Sequence, residues 1–556
     1  MKRLIECVPN FSEGRNLDLI RQITDQIESV AGVRLLNVDP GHATNRTVVT
    51  FVGDPDAVVE AAFRAIRRAG ELIDMSKHHG EHPRMGATDV CPLVPISGIS
   101  MEEAAAYARK LAERVGRELD LPVYCYEAAQ PDSARSNLAV IRAGEYEGLP
   151  KKILLPEWKP DFGPATFDAR RGATVIGARD FLVAFNVNLN TTSTRRANAI
   201  AFDVREAGRT KLDRNGDAMH DASGNPIIIP GTLKSVKAIG WYIAEYGRAQ
   251  VSMNLVNVRD TPLHVAFDEV CRAAAARGIR VTGSELVGLV PLQCLLDAGR
   301  YFLAKQQRST GVSDRELVRI AITSLGLNDV APFHPEERVI ESLLHDATQE
   351  RLVSMTVTAF TEETASESAA PGGGSVAATV GALGAALGTM VANLSSHKRG
   401  WDDRWQEFSD WAETGQRYTR ELLHLVDEDT RAFERVMAAF ALPKSSDEEK
   451  TARTAAIQAA TRVAMEIPFR VMEAALGSMA MIRQMAEHGQ PSSSSDAGVG
   501  GLCARTAVMA AYLNVKINAK SLHDKAFADD LVTRGGAIER QAQEQEAEIL
   551  RIVNAR

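Results

Sequence analysis

The sequence predicts a multidomain protein in which two α/β subdomains of βαββαβ-like order are followed by an all-α helical bundle. Three observations point there. At 556 residues the chain exceeds what one hydrophobic core accommodates. From Leu4 to Thr282, apolar runs of strand length alternate with amphipathic stretches of helical period. From Val339 onward the strand-like runs almost vanish, and long Ala-rich segments of helical period replace them.

Leu4 to Phe11, Val33 to Val38, Thr47 to Val52, Val90 to Ile96 and Val123 to Tyr126 are short apolar runs bounded by turn residues, which predicts strands. Among the helices between them, Asp54 to Ile73 gathers Val59, Ala62, Phe63, Ile66 and Ile73 on one face. Asp54-Pro55 supplies its N-cap and a proline at the first helical position. A second unit repeats the order: strand Leu182 to Val187, helix Thr194 to Glu206, strands Val236 to Ile243 and Gln250 to Val256, helix Pro262 to Arg277, strand Ile279 to Thr282. Subdomains over residues 1–180 and 181–326 follow, with the cleft between them as the natural ligand site.

Inside the second unit, Lys211 to Gly231 carries Asp213, Asn215 and Asp217. Gly216 comes too early for a calcium loop and no glutamate closes one, so a surface hairpin is the reading. The proline-containing, acidic stretch Asn328 to Glu337 predicts a linker over 327–338. Residues 339–556 form the bundle, interrupted at Pro371, Leu442 to Ser446 and Gln490 to Ser495.

Hydrophobic residues at 45% and charged residues at 24% are the proportions of a globular protein. A net charge of -8 argues against a nucleic-acid partner, which requires a concentrated basic surface. The six cysteines have no CxxC spacing, which predicts reduced thiols. The N-terminal segment reaches Glu6, Pro9 and Glu13 too soon for a signal peptide, so a cytoplasmic location is expected. Ser375 to Leu394 is uncharged for twenty residues, but Ala, Gly, Ser and Thr dominate it. A helix packed tightly inside the bundle is therefore expected, not a membrane span.

Three polar clusters lie at strand ends: Asn10, Ser12, Glu13 and Arg15; Asp39 to His42 with Asn45 and Arg46; and SKHHGEHPRMGATD from Ser76 to Asp89. Pro83 holds His82 away from helical geometry, and histidine is suited to proton transfer near neutral pH. Two other readings stand for His78, His79 and His82: a metal site, or a histidine-rich surface loop. The first two clusters also suit ordinary turns. GPATFDARRG, from Gly163 to Gly172, offers Phe167 and the pair Arg170-Arg171 to a flat ligand with an anionic tail, or is a solvated loop.

In the helical half, Leu422, Leu425, Val426, Asp429, Phe433, Val436 and Phe440 recur at three- and four-residue steps. Asp429 thus falls on an apolar stripe facing the interior, where a carboxylate needs a partner or a function. Asp427 and Glu428 point toward solvent. PGGGS, Pro371 to Ser375, precedes the uncharged helix; its amides suit an anion, and its glycines equally suit close helix packing. It fits neither nucleotide-binding glycine pattern, so no nucleotide is expected. Ser492 to Asp496 caps the helix that carries Asn514 and Asn518.

CVPNFSEGRN, GEHPRMGATDVCP, GPATFDARRGATVIGARDFLVAFNVNLN, PGGGSVAA and LVDEDTRAF, in this order, resemble the formimidoyltransferase-cyclodeaminase family along nearly the whole chain. The resemblance implies transfer of a formimidoyl group from N-formimidoyl-L-glutamate to tetrahydrofolate, the end of histidine breakdown. Closure to 5,10-methenyltetrahydrofolate with release of ammonia follows. His82 matches the transferase catalytic histidine and Asp429 the cyclodeaminase acid. Gly163, Pro164, Ala165, Thr166, Phe167, Asp168, Ala169, Arg170, Arg171 and Gly172 match the folate-binding loop. The implied co-substrate is (poly)glutamylated tetrahydrofolate, with no metal. The small-residue helix and the resemblance together suggest a homo-oligomer. The rival from another class is a folate-binding scaffold that kept one activity.

Overall fold

The computed structural model describes residues 3–42, 44–80, 83–343, 352–368 and 370–556. Two compact units emerge, Met1–Cys294 with Leu325–His345, and Leu295–Ser324 with Asp346–Arg556.

The first unit opens with seven strands in one sheet: β1 (Leu4–Cys7), β2 (Asn10–Phe11), β3 (Val33–Gly41), β4 (Arg46–Gly53), β5 (Thr88–Ser97), β6 (Val123–Glu127) and β7 (Thr174–Ala178). The path runs β1-β4-β2-β5-β7-β6, with β3 pairing on β4. Leu4 to Phe11, expected as one strand, is two, because Pro9 has no N–H to give the ladder. Pro9 still accepts from the Val49 amide at 3.0 Å. Strand β7 had no counterpart in the sequence reading. It inserts between β5 and β6, parallel to both.

Helices α1 (Leu17–Glu28), α2 (Pro55–Leu72) and α3 (Met101–Glu118) cover one face of this sheet. Each begins on a side chain that accepts orphan amides: Asn16, Asp54, and Ser100 in a capping box with Glu103. The period of two along the strands sorts their residues. Ile5, Cys7, Phe11, Val49, Phe51, Cys91 and Leu93 point into the helix-covered core. Glu6, Val8, Asn10, Arg46, Val48, Thr50, Val90 and Pro92 point the other way. The short helices α4 (Leu138–Ile141) and α5 (Glu145–Lys152) and a smaller apolar cluster around Tyr124 and Tyr126 cover part of that second face.

The second subdomain holds β8 (Val183–Leu189), α6 (Thr194–Val204), a small hairpin of β9 (Arg209–Thr210) and β10 (Ile228–Ile229), then β11 (Val236–Ile243), β12 (Arg248–Leu255), α7 (Leu263–Ala275) and β13 (Val281–Val287). Its sheet is antiparallel in the order β11-β12-β8-β13. The hairpin matches the surface reading of Lys211 to Gly231. Asp213 and Asp221 each accept two backbone amides of their own turns, at 2.8 to 3.0 Å, so these carboxylates are spent on turn geometry.

Helices α8 (Leu292–Lys305), α9 (Asp314–Leu325), α10 (Pro335–Arg338), α11 (Ile340–Leu343) and α12 (Val357–Thr364) lead to the bundle. Leu295–Ser324 groups with the helical unit by contact density, and the chain from Leu325 returns to the first unit. The bundle proper is α13 (Gly373–Ser396), α14 (Trp405–Phe440), α15 (Asp447–His488), α16 (Ser494–Ser521) and α17 (Lys525–Ala555). Small residues let α13 sit close to its neighbours: a Cβ on Gly384 would meet the Gly500 carbonyl at 2.8 Å, and one on Gly388 would meet Met481. Among the described residues α13 is the one helix long and apolar enough to cross a membrane, and 61% of its most apolar window is buried in the protein.

Candidate active sites

In the first unit the three polar clusters singled out in the sequence come together. The Asn45 side chain accepts from the Gly14 amide at 3.0 Å and donates to the His79 carbonyl at 3.1 Å. Ser12 donates to the Gly86 carbonyl at 2.8 Å. His78 is buried, and both ring nitrogens are engaged: Nε2 lies 2.8 Å from the Asn45 carbonyl, and Nδ1 faces Arg84 Nε at 3.3 Å. A carbonyl can only accept, so Nε2 carries the proton and Nδ1 the lone pair. Burial, with Arg84 adding to it, holds this imidazole below its ordinary pKa. His78 is thus a neutral fixing residue. Arg84 in turn grips Glu147 through two nitrogens at 2.6 and 3.0 Å, and Glu145 at 3.2 Å. His82 itself lies outside the described residues.

Gly163 to Gly172 runs beside this segment. Gly172 and Gly86 form a bridge, the Ala87 amide donates to the Arg171 carbonyl at 2.8 Å, and the Met75 amide donates to the Arg170 carbonyl at 2.8 Å. Asp168 shapes the loop by accepting both the Arg170 and Arg171 amides at 2.9 Å and Arg171 Nε at 2.6 Å. Arg171 also donates to the Leu119 and Asp120 carbonyls, capping the end of α3. Arg170 donates to the Glu71 carbonyl at the end of α2. Arg171 thus ties the loop to the end of α3, and exposed Arg170 gives one nitrogen to the end of α2. Phe167 packs against Tyr146, ring centroids 5.5 Å apart, leaving an aromatic surface at the loop.

The uncovered part of the seven-stranded sheet and the start of the second subdomain enclose a cleft of 490 Å³. Its walls include Asn10, Asp39, Arg46, Tyr126, Arg142, Arg179, Phe181, Leu182 and Leu289. Asp89, with no exposed side-chain surface, joins Arg46 to Arg142, whose Nη2 lies at 2.6 Å. Glu6 lies in the same cleft, 3% exposed. Burial pushes its carboxyl up to about 7, with Arg179 pulling the other way.

That shift carries a stability prediction. The group titrates at 4.5 when exposed and near 7 when folded, so folding favours the neutral acid. Its contribution is complete below pH 4.5 and is lost as pH rises through 7. Glu6→Gln should therefore stabilise the protein at pH 8 relative to pH 5, by up to about 3 kcal/mol. Calorimetry of both chains across that range checks it; equal pH slopes would refute it.

In the helical unit Asp429, on α14, meets the start of α13. The Ser375 hydroxyl donates to Asp429 Oδ2 at 2.9 Å and lies 3.3 Å from the Thr430 hydroxyl. Gly374 touches the Asp429 carboxyl so closely that a Cβ would overlap it. The Asn514 side-chain amide lies against Gly373. Burial raises the Asp429 pKa, while the Ser375 hydroxyl and amide oppose it by stabilising the carboxylate. A half-buried carboxyl held at a glycine-lined helix start can exchange protons with a ligand seated there.

Family models match nearly the whole chain: "Formiminotransferase domain, N-terminal subdomain" over 4–179, "Formiminotransferase domain" over 184–345 and "Formiminotransferase-cyclodeaminase" over 356–535. The rat formimidoyltransferase-cyclodeaminase (Rattus norvegicus) is 43% identical over 557 residues, with both chains fully covered. The chain belongs to the formimidoyltransferase-cyclodeaminase family. A glutamate formimidoyltransferase of Streptococcus pyogenes is 41% identical over 54% of this chain and 94% of its own length. A methenyltetrahydrofolate cyclohydrolase of Methylorubrum extorquens is 38% identical over 32% of this chain and 84% of its own. The family thus joins two enzyme activities, transferase and cyclodeaminase, in one folate-dependent chain.

Within this family member, PGGGS lies against Asp429: Gly374 abuts its carboxyl and the Ser375 hydroxyl donates to it. Asp427 departs from expectation: it is buried, and its Oδ1 has no hydrogen-bond partner. The predicted stripe also ends early. Phe433 and Phe440 are exposed, and Ala432 and Ala439 take the buried positions. Glu6 and Arg142 were missed. Glu6 sits mid-strand, and only the period of two, applied to β1, signals its polar face.

Proposed function

We propose that the α/β half transfers the formimidoyl group of N-formimidoyl-L-glutamate to tetrahydrofolate. The helical half then cyclises 5-formimidoyltetrahydrofolate to 5,10-methenyltetrahydrofolate and releases ammonia. In the first step the folate N5 attacks the protonated formimidoyl carbon, and the bond from that carbon to the glutamate nitrogen breaks. His82 takes the N5 proton and returns it to the departing nitrogen. In the second, N10 attacks the same carbon, and Asp429 takes the N10 proton and delivers it to the amino group on that carbon, whose bond then breaks to release ammonia. Gly163 to Gly172 holds the folate of the first reaction, with Phe167 and Tyr146 as its flat surface.

The observation that carries this reading is the Asp429 carboxyl raised by burial at the start of α13, in a chain matched end to end by a two-activity relative. Neither step calls for a metal or a nucleotide. The transferase half is assigned to residues 1–326 and the cyclodeaminase half to 339–556, joined by 327–338. The reaction belongs at the end of histidine breakdown, in the cytoplasm, in a homo-oligomer.

With both substrates supplied, methenyl-folate absorbance should rise with one ammonia released per product, and chelator treatment should not slow it. A product without ammonia, or a chelator-sensitive rate, would count against the assignment. Ser375→Ala gives a pH test. Losing the hydroxyl that stabilises the carboxylate raises the Asp429 pKa further. The acid limb of the cyclodeaminase profile should then move to higher pH; an unmoved limb would remove Asp429 as the titrating base.

A further inference from the structure

We propose that Arg142 and Arg46, joined by the buried Asp89, form the subsite that holds the glutamate carboxylate of the formimidoyl donor in the cleft between the two α/β subdomains. This rests on the transferase reading above. Arg142 gives Nε and Nη2 to Asp89 at 3.3 and 2.6 Å, which leaves its Nη1 unassigned. Arg46 holds Asn10 Oδ1 at 3.0 Å through Nε and contacts Asp89 through Nη1. Arg46, Arg142 and Arg179 line the cleft against the carboxylates of Asp89 and Asp39 and the burial-raised Glu6, with the Arg46 and Arg142 side chains only 11% and 14% exposed. A guanidinium at that depth attracts an anion strongly, and its fork matches a carboxylate.

The folate tail also ends in glutamate carboxylates, so the chemistry has two sources. The sheet order favours the donor. Residues 83–88 lead into β5, which lies between β2 and β7. From the β7 side the loop 163–172 pairs with this segment through Gly172 and Gly86. From the β2–β4 side the cluster reaches it: Arg46 Nη1 lies 3.5 Å from the Pro83 carbonyl, and Asp89 accepts the Met85 amide at 3.0 Å. With folate on the loop, the arginine side is left to the second substrate, and both sides contact the same short segment, Pro83 to Gly86. A cleft of 490 Å³ suits a small dicarboxylate better than an extended polyglutamate tail.

The test is steady-state kinetics of the full-length enzyme, with cyclodeaminase activity as the control for folding. Arg142→Ala should raise the KM for N-formimidoyl-L-glutamate about 10- to 100-fold, the loss of one charge-assisted hydrogen bond. The KM for tetrahydrofolate and the cyclodeaminase rate should stay within about twofold, and Arg142→Lys should recover part of the donor affinity. A raised KM for tetrahydrofolate alone would place the folate tail there and overturn the proposal. Unchanged constants for both substrates would leave the cluster a purely structural ion network, again overturning it. If Arg142→Ala fails to fold, phenylglyoxal labelling of the wild-type enzyme decides. Glutarate should protect Arg142, and undiminished labelling would refute the subsite. A wild-type enzyme with no formimidoyl transfer would instead fault the transferase reading itself.

Discussion

Asp429→Ala is expected to lower the cyclisation rate about 10²- to 10⁴-fold, the usual range for loss of a positioned general acid or base, and to leave formimidoyl transfer at its wild-type rate. The size of the effect follows from its surroundings. The carboxyl is raised by burial, is positioned by Ser375 Oγ at 2.9 Å, and abuts the backbone of Gly374. Thr430 and Asn514, also beside this helix start, bring no titratable group to replace it. Asp429→Asn keeps the shape and removes the charge, so it should be as slow as alanine. A near-wild-type Asn variant would mean the residue only fills space. Ammonia release from supplied 5-formimidoyltetrahydrofolate measures this directly.

His82→Ala is the mirror image: transfer should fall by a comparable 10²- to 10⁴-fold, with cyclisation of supplied formimidoyl-folate intact. The engagement of the His78 ring argues for His82 over His78 as the proton carrier. His78 is committed, with Nε2 to the Asn45 carbonyl and Nδ1 to Arg84, so its exchange would disturb the loop without removing a proton carrier. Arg84 and Asn45 pin the chain on either side of residues 81–82 through Glu147 and the His79 carbonyl. If His78→Gln abolished transfer while His82→Ala retained it, the roles assigned to these two histidines would have to be exchanged.

Local rules made much of this legible in the sequence. Strand and helix periods located most elements because one face of each is buried, and Asp54-Pro55 marked the start of α2 to the residue. Asp429 stood out because a carboxylate on an apolar stripe is expensive unless used. Contacts between distant segments were not legible. Asp89 and Arg142 are 53 residues apart, and Ser375 and Asp429 are 54 apart. Spacing along the chain says nothing of either pair. Arg170 and Arg171 suggested ligand binding from charge alone, yet three of their side-chain nitrogens reach carbonyls at the ends of α2 and α3. A sequence cannot reveal that competition, because it depends on which backbone carbonyls lie within reach.

The central claim is that two separate proton-transfer sites act in succession on one folate. Methenyl-folate absorbance, followed after supplying 5-formimidoyltetrahydrofolate to full-length His82→Ala and Asp429→Ala chains of unchanged helicity, tests it most directly. The account predicts a wild-type rise with His82→Ala and almost none with Asp429→Ala. Loss of the signal in both folded variants would contradict it, since one shared centre would then serve both reactions.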